Sequence, residues 1–375
     1  MTAFIKAWAY AAGGRDLRID FLRGFCLLVM MIDHMEGQSY LYALTGKGNF
    51  YLSAAEGFYL ISGLTLGLVV ARAGLIQAVG RTLSRALVIY RTAVLMAFGF
   101  ALVSHLGYSV WADKWEGRVL GEYVPQVLTL GTGFSGSQIL SLYVLFMLLA
   151  PLALWFLYQR KPWHVLGASA ALYILAQFNP GAVNPMIQSL FLPASWQLLF
   201  FFGLTIGFNF VALSRWWAGR PLLRGVLGAA VVGLATALLV GFVLGHKLYP
   251  GLSLGEENQF VLTPLRLALS ALFIQAFFLL TTWLWRPLSA ALGWLLIPLG
   301  SASLWTFVGH MVVIAVLWNV DLLPQALFDQ NPVLAGTLEQ ALGILAIWVS
   351  ITAYRRVRLM LGAPKVQARQ VTAEP

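Results

Sequence analysis

The stretch "RIDFLRGFCLLVMMIDHM", Arg18 to Met35, decides how this chain is read. Its middle, Phe25 to Ile32, is wholly apolar, as a membrane helix requires. Arg23 stands on one side of that middle and the pair Asp33-His34 on the other, with Asp20 upstream. A charged side chain at the centre of a bilayer costs about 3 kcal/mol on insertion scales. Groups of this kind need somewhere other than lipid to go. Helical geometry offers one place for several of them. Arg23 and His34 are eleven positions apart. At 100° per residue, that spacing returns a side chain to nearly the same face after a rise of about 16 Å. Asp20, three residues before Arg23, falls on that face too. Asp20, Arg23 and His34 therefore form one polar stripe, while Leu27, Val29 and Met30 lie largely elsewhere. Such a stripe suits a cavity, a channel or an active site; the plainer reading is a polar seam between helices.

The rest of the chain sets the context. It has 375 residues, 60% of them hydrophobic and 10% charged, with a mean hydropathy of +0.80. Soluble domains carry about 25% charged residues. Repeated apolar runs near membrane-spanning length replace that surface here, and no train of short alternating segments suggests a barrel. The expected class is all-α: a polytopic integral membrane protein. The lone cysteine, Cys26, excludes an intrachain disulfide. No cleavable signal peptide is expected, because no small-residue cleavage site follows Met35. Ten helices are expected, at about 19–42, 50–71, 86–106, 138–158, 164–178, 193–213, 225–245, 262–285, 297–318 and 333–354. The ninth carries a candidate break at "PLGSAS". One membrane domain, 19–354, follows a short N-terminal segment, 1–18, and precedes a basic tail, 355–375.

Lysine and arginine give the expected orientation. With the N-terminus inside, the inner segments hold Lys6, Arg15 and Arg18; Arg72, Arg81 and Arg85; Arg160 and Lys161; Arg215, Arg220 and Arg224; Arg286; and Arg355, Arg356, Arg358, Lys365 and Arg369. The outer ones hold only Lys47, Lys114, Arg118 and Lys247. Both termini are therefore expected in the cytoplasm. This asymmetry explains the net charge of +10 better than nucleic-acid binding does. The tail reads as a lipid-headgroup anchor. The outer loop 107–137, with Tyr108, Trp111, Trp115 and Tyr123, reads as an interfacial belt or a set of sugar-stacking rings.

Further charges fall inside apolar segments: Glu56 in the second, Arg91 in the third, Arg266 in the eighth. They are expected to face one another or water, or to snorkel from helix ends. His34 and Glu56 are expected at similar depth. A carboxylate beside a histidine fixes its tautomer and makes it a general base. Asp33 competes for that role, although adjacent helical side chains diverge by 100°. His310 in "FVGHMVV" is a further candidate for the same cavity.

These motifs carry a resemblance. "RIDFLRGFCLLVMMIDHM" and "LSAAEGFYLISGLTLG", with "LYVLFMLLAP", "WQLLFFFGLTIG" and "PLGSASLWTFVGH", resemble the OpgC family of osmoregulated periplasmic glucan succinyltransferases. That family lies within or near the acyltransferase-3 superfamily. The resemblance runs from about Arg15 to Tyr354. It implies succinyl-CoA or another acyl-CoA as donor, entering from the cytoplasm, and a sugar hydroxyl of an extracytoplasmic polysaccharide as acceptor. It implies His34 as catalytic base, with Asp33 or Glu56 orienting it. Arg23, Arg81 and Arg85 would contact the donor; Arg91, beside the resemblance, is a further donor-side candidate. Trp196, Gln197, Arg266 and His310 are the substrate-binding candidates. The chain departs from the family at Ser141, where a proline is common, and at Arg91, where a histidine is common. Membrane lipid and a glucan synthase are the expected partners, and no metal or nucleic acid is expected. The competing readings are an O-acetyltransferase of envelope glycans and a transporter or flippase that uses the same stripe as a pathway.

Overall fold

The computed structural model describes residues 11–12, 15–35, 37–47, 50–108, 120–130, 138–183, 191–245 and 260–360. Trp111, Trp115, Lys6, Lys114, Arg118, Lys247, Lys365 and Arg369 lie outside the described residues. A two-residue antiparallel pairing, β1 (Ala11–Ala12) with β2 (Arg15–Asp16), comes first. The helices follow: α1 (Leu17–His34), α2 (Tyr42–Thr45), α3 (Ala54–Val70), α4 (Leu75–His105), α5 (Leu120–Leu128), α6 (Gln138–Tyr158), α7 (Pro162–Phe178), α8 (Pro193–Phe208), α9 (Phe210–Ala218), α10 (Pro221–Val243), α11 (Pro264–Trp283), α12 (Trp285–Ser301), α13 (Ser303–Asn319), α14 (Gln325–Gln330) and α15 (Pro332–Met360).

Each of the ten expected stretches is largely helical. Among the described residues, α4, α6, α10, α11 and α15 are long and apolar enough to cross a membrane. Two bent pairs raise the number to seven if each is one span: α8 with α9, bent by 70°, and α12 with α13, bent by 95°. The protein is an integral multi-pass membrane protein. α1 carries Arg18, Asp20, Arg23 and Asp33 and is not among these spans.

The region around 285–318 differs most from the sequence reading. α12 starts at Trp285, earlier than the expected 297, and the chain breaks at Ala302. Pro298 lies inside α12; it offers no N–H and its ring crowds the preceding turn. Carbonyls left without helical donors need others, above all in lipid. The Trp294 carbonyl, which the missing Pro298 N–H would have served, accepts from Trp348 Nε1 at 3.0 Å, and the Thr306 hydroxyl donates to Leu299 O at 2.8 Å. Pro298 O keeps the Ala302 amide at 3.2 Å and gains Arg355 Nη2 at 3.3 Å, which also reaches the Ser301 hydroxyl. Arg355 was expected to open a lipid-anchoring tail, yet it lies inside α15. The 193–213 segment also divides, at Asn209.

The chain forms two compact units. The first comprises residues 1–50, 225–250 and 270–375. In it α1 packs mainly on α12, and also on α13 and α15. Gly24 and Gly300 permit the closest approach: a Cβ on Gly24 would overlap the Leu296 carbonyl, and one on Gly300 the Asp20 carbonyl. α1 is buried nearly all round, Leu27 and Met30 as well as Asp20 and Arg23. That is the pattern of a helix surrounded by protein.

The second unit comprises residues 51–224 and 251–269. Its main contact joins α3 to α8. Gly63 and Gly67 lie against the Phe200 and Leu204 carbonyls, and Gly203 and Gly207 against those of Leu60 and Leu64. Small residues four apart let two helix backbones touch, which is the main route to tight packing where lipid supplies no hydrophobic drive. The rings of Tyr59, Phe146, Phe200 and Trp196 pack beside this contact. α4 packs on α6, and α7 on α8.

Candidate functional site

In the first unit, α1 delivers His34 at its last turn. The Ile32 carbonyl accepts from the Met35 amide at 3.3 Å and from Gln340 Nε2 of α15 at 3.4 Å. Beyond the helix, the Tyr42 hydroxyl donates to the Met35 carbonyl. So the end of α1 is held from two sides. The His34 ring stacks on His310 of α13, with centroids 5.4 Å apart and planes at 27°. His34 Nδ1 and His310 Nε2 are 3.3 Å apart. His310 is fully buried, with Phe307 edge-on to its ring at 5.0 Å, whereas His34 is only half-buried. The partner that the structure gives His34 is thus a residue assigned from sequence to substrate binding. Asp33 precedes His34 in the same helical turn and is also half-buried.

The start of α1 gathers charge. Asp16 caps the helix, accepting from the Arg18 amide at 3.0 Å, and also pairs with the Arg18 guanidinium at 2.6 Å. Arg18 reaches on to the Thr282 hydroxyl at 2.9 Å. Asp20 takes Arg15 at 2.6 Å and lies 3.9 Å from Arg23, one turn along. Arg355 interacts electrostatically with both Arg15 and Asp20. Four arginines thus gather around two carboxylates, an arrangement with positive charge to spare. The polar stripe read from the sequence is present in α1, with its inner members paired to each other. Cys26 is buried among the apolar residues of the same helix.

In the second unit, Glu56 and Arg266 find each other. Arg266 Nε donates to Glu56 Oε1 at 2.6 Å, and both side chains are at most 1% exposed. The other carboxylate oxygen accepts from the Ser53 amide at 2.8 Å and from the Ser53 hydroxyl. This is a capping box: Ser53 caps α3, and Glu56, three residues on, returns the contact. α3 starts at Ala54, not at 50, so Glu56 sits in the first turn rather than deeper in the helix. The pattern Ser-x-x-Glu before an apolar run was the available sequence signal. A second missed signal is the near-repeat "GLTLG" (63–67) and "GLTIG" (203–207), which forms the α3–α8 contact.

Trp196 and Gln197 belong to the interior of this unit. Trp196 is fully buried and donates through Nε1 to Phe260 O at 3.1 Å. Both Gln197 amide donors are used, on Ser169 O at 2.8 Å and Ala194 O at 3.0 Å. Its oxygen accepts from the Ser169 hydroxyl at 2.6 Å. Arg81, Arg85 and Arg91 lie on exposed parts of α4, with Leu83, Leu87, Val88 and Leu95 exposed around them. Among the described residues, no group of three or more His, Cys, Asp and Glu side chains is placed to hold a metal ion.

A family model described as "OpgC protein" matches residues 15–358, nearly the whole chain. The chain belongs to the OpgC family. The family match begins at Arg15, where the charged start of α1 begins, and takes in both histidines of the stacked pair. OpgC-family proteins are membrane acyltransferases acting on extracytoplasmic glycans, which places this chain among the transferases. No curated protein and no solved structure matches it.

Proposed function

We propose that this OpgC-family protein moves an acyl group, succinyl before acetyl, from cytoplasmic acyl-CoA to a hydroxyl of an extracytoplasmic glucan or related polysaccharide. His34 is the general base. The observation that carries this reading is the contact at the end of α1 between His34 and the fully buried His310, with ring nitrogens 3.3 Å apart. A base must reach solvent or substrate on one side and be held on the other.

The chemistry balances without further reactants. The acceptor hydroxyl oxygen bonds to the thioester carbonyl carbon while His34 takes the hydroxyl proton. The C–S bond then breaks, and CoA leaves as a thiol with that proton. Arg23 lies on the face of α1 that carries His34, and the surplus of arginine around Asp16 and Asp20 fits the phosphates of the donor. Guanidinium is suited to phosphate by its planar fork of donors. Arg81 and Arg85 are proposed donor contacts on the resemblance alone. Both termini are taken as cytoplasmic from the lysine and arginine asymmetry, and 19–354 as one acyltransferase domain.

The test uses membranes holding the full chain, labelled succinyl-CoA or acetyl-CoA, and a glucan acceptor. Wild-type protein should make the label covalent on glycan. His34→Ala should lower transfer by about 10²–10⁴-fold, with the amount of membrane protein unchanged. Near-normal transfer by that variant would remove His34 from the mechanism. Passage of glycan across the membrane with no covalent label would favour a transporter, and a preference for acetyl-CoA would favour an O-acetyltransferase.

A further inference from the structure

His310 has so far no part in the reaction. It is the side chain against which His34 is stacked, and the contact has a chemical consequence. Two ring nitrogens 3.3 Å apart, His34 Nδ1 and His310 Nε2, share one proton in a hydrogen bond. Two arrangements are available. In one, His310 donates to His34, and His34 then carries its own proton on Nε2. It would offer the acceptor hydroxyl an N–H, which cannot take a proton. In the other, His34 donates from Nδ1 and its lone pair is on Nε2.

The surroundings of His310 choose between them. Its remaining nitrogen, Nδ1, is buried and makes no hydrogen bond of good geometry. The His310 ring also meets the backbone carbonyls of Thr306 and Phe307, one turn earlier in α13. In the first arrangement a buried Nδ1 lone pair would face those carbonyl oxygens, acceptor against acceptor. In the second, Nδ1 carries the proton and faces them as a donor. A buried polar atom facing a like partner is unfavourable, and the tautomer of a histidine follows from what its other nitrogen meets. The order of burial agrees: His310 is the more buried residue of the two. The carboxylate that the sequence offered instead, Glu56, is occupied by Ser53 and Arg266.

We propose that His310 is a positioning residue, whose Nε2 accepts the Nδ1 proton of His34 and so leaves the His34 Nε2 lone pair to deprotonate the acceptor. This rests on the acyltransferase reading above. His310 touches no reacting atom. It does for His34 what a carboxylate does in other base dyads: it fixes the tautomer and the ring plane.

The experiment compares His310→Gln with His310→Leu in the full chain. The glutamine oxygen reaches the place of Nε2 and can accept; leucine fills the space and cannot. His310→Gln should keep turnover within a few-fold of wild type. His310→Leu should lose about 10²-fold in kcat, the lower end of what a general base contributes, with donor KM unchanged. A merely structural role would give the two variants parallel losses in protein level and in KM. A second measurement stands even where a variant fails to fold. The solid-state ¹⁵N spectrum of histidine-labelled wild-type protein, with His34 assigned by comparison with His34→Gln, should show a protonated Nδ1 and an unprotonated Nε2. Wild-type turnover in His310→Leu, a His310→Gln variant no better than His310→Leu, or a protonated Nε2 on His34 would each overturn the proposal. If His34→Ala is itself active, the acyltransferase base has failed; if it is dead while His310→Leu is active, only this inference has.

Discussion

The Glu56–Arg266 pair of the second unit and the His34–His310 pair of the first are built in opposite ways. Glu56 and Arg266 are oppositely charged, almost fully enclosed, and engaged at both carboxylate oxygens. His34 and His310 are chemically alike, meet through ring nitrogens 3.3 Å apart, and differ in burial, His310 being the more enclosed residue. In a low-dielectric interior an enclosed ion pair holds helices in place, because each charge answers the other. A pair of neutral rings that share one proton can pass a proton to something else. The difference separates architecture from chemistry better than charge alone does. By charge, Glu56 would have been the stronger candidate.

The contrast can be broken most decisively at Glu56. Replacing it by alanine leaves Arg266 buried opposite no carboxylate, and removing one partner of such a pair costs about 3–5 kcal/mol. Glu56→Ala should therefore melt far below wild type in detergent, while each surviving folded molecule keeps its transfer rate. A full loss of rate in well-folded Glu56→Ala would return the carboxylate to the catalytic machinery. Gly63→Ala tests the same unit without touching a charge. Its new methyl would overlap the Phe200 carbonyl, and overpacking of this kind costs about 1–3 kcal/mol. The same melting assay should register it, again with unchanged rate per folded molecule. The smallest effect is expected on α4. Arg81→Gln with Arg85→Gln should raise donor KM a few-fold and leave kcat alone, since exposed cations contribute binding that is equal in ground and transition states. A change in kcat would move these residues toward the reacting centre.

The sequence showed the helices well where period and length agree. The apolar run at 138–158 matches α6 to the residue. The stripe on α1 was legible because 3.6-residue geometry is local, and Asp20 and Arg23 do pair across one turn. What was hidden depends on segments far apart in the chain. Nothing near Arg266 announces Glu56, 210 positions away, and nothing in "FVGHMVV" says that its histidine will lie on His34. α12 was missed because Arg286 read as an inner-segment residue and the next helix was placed from 297. Pro287 sits in the first turn of α12, where a missing N–H costs nothing. Pro298 lies in the last turn of α12, just before the break at Ala302. Two other features were legible and went unread, the Ser53–Glu56 capping box and the paired glycine pentapeptides. Both are local patterns with a direct physical meaning.

The donor that Arg355 lends to the broken helix has a practical side. Reporter proteins fused to the end of a membrane chain are the usual way to learn on which side that end lies. A reporter joined after Tyr354, where the last apolar run stops, would cut Arg355 away from the Pro298 carbonyl and the Ser301 hydroxyl. The bend that carries His310 would then be under test along with the orientation. A fusion placed beyond Met360, the last residue of α15, reads the orientation of the end while the bend keeps its donor.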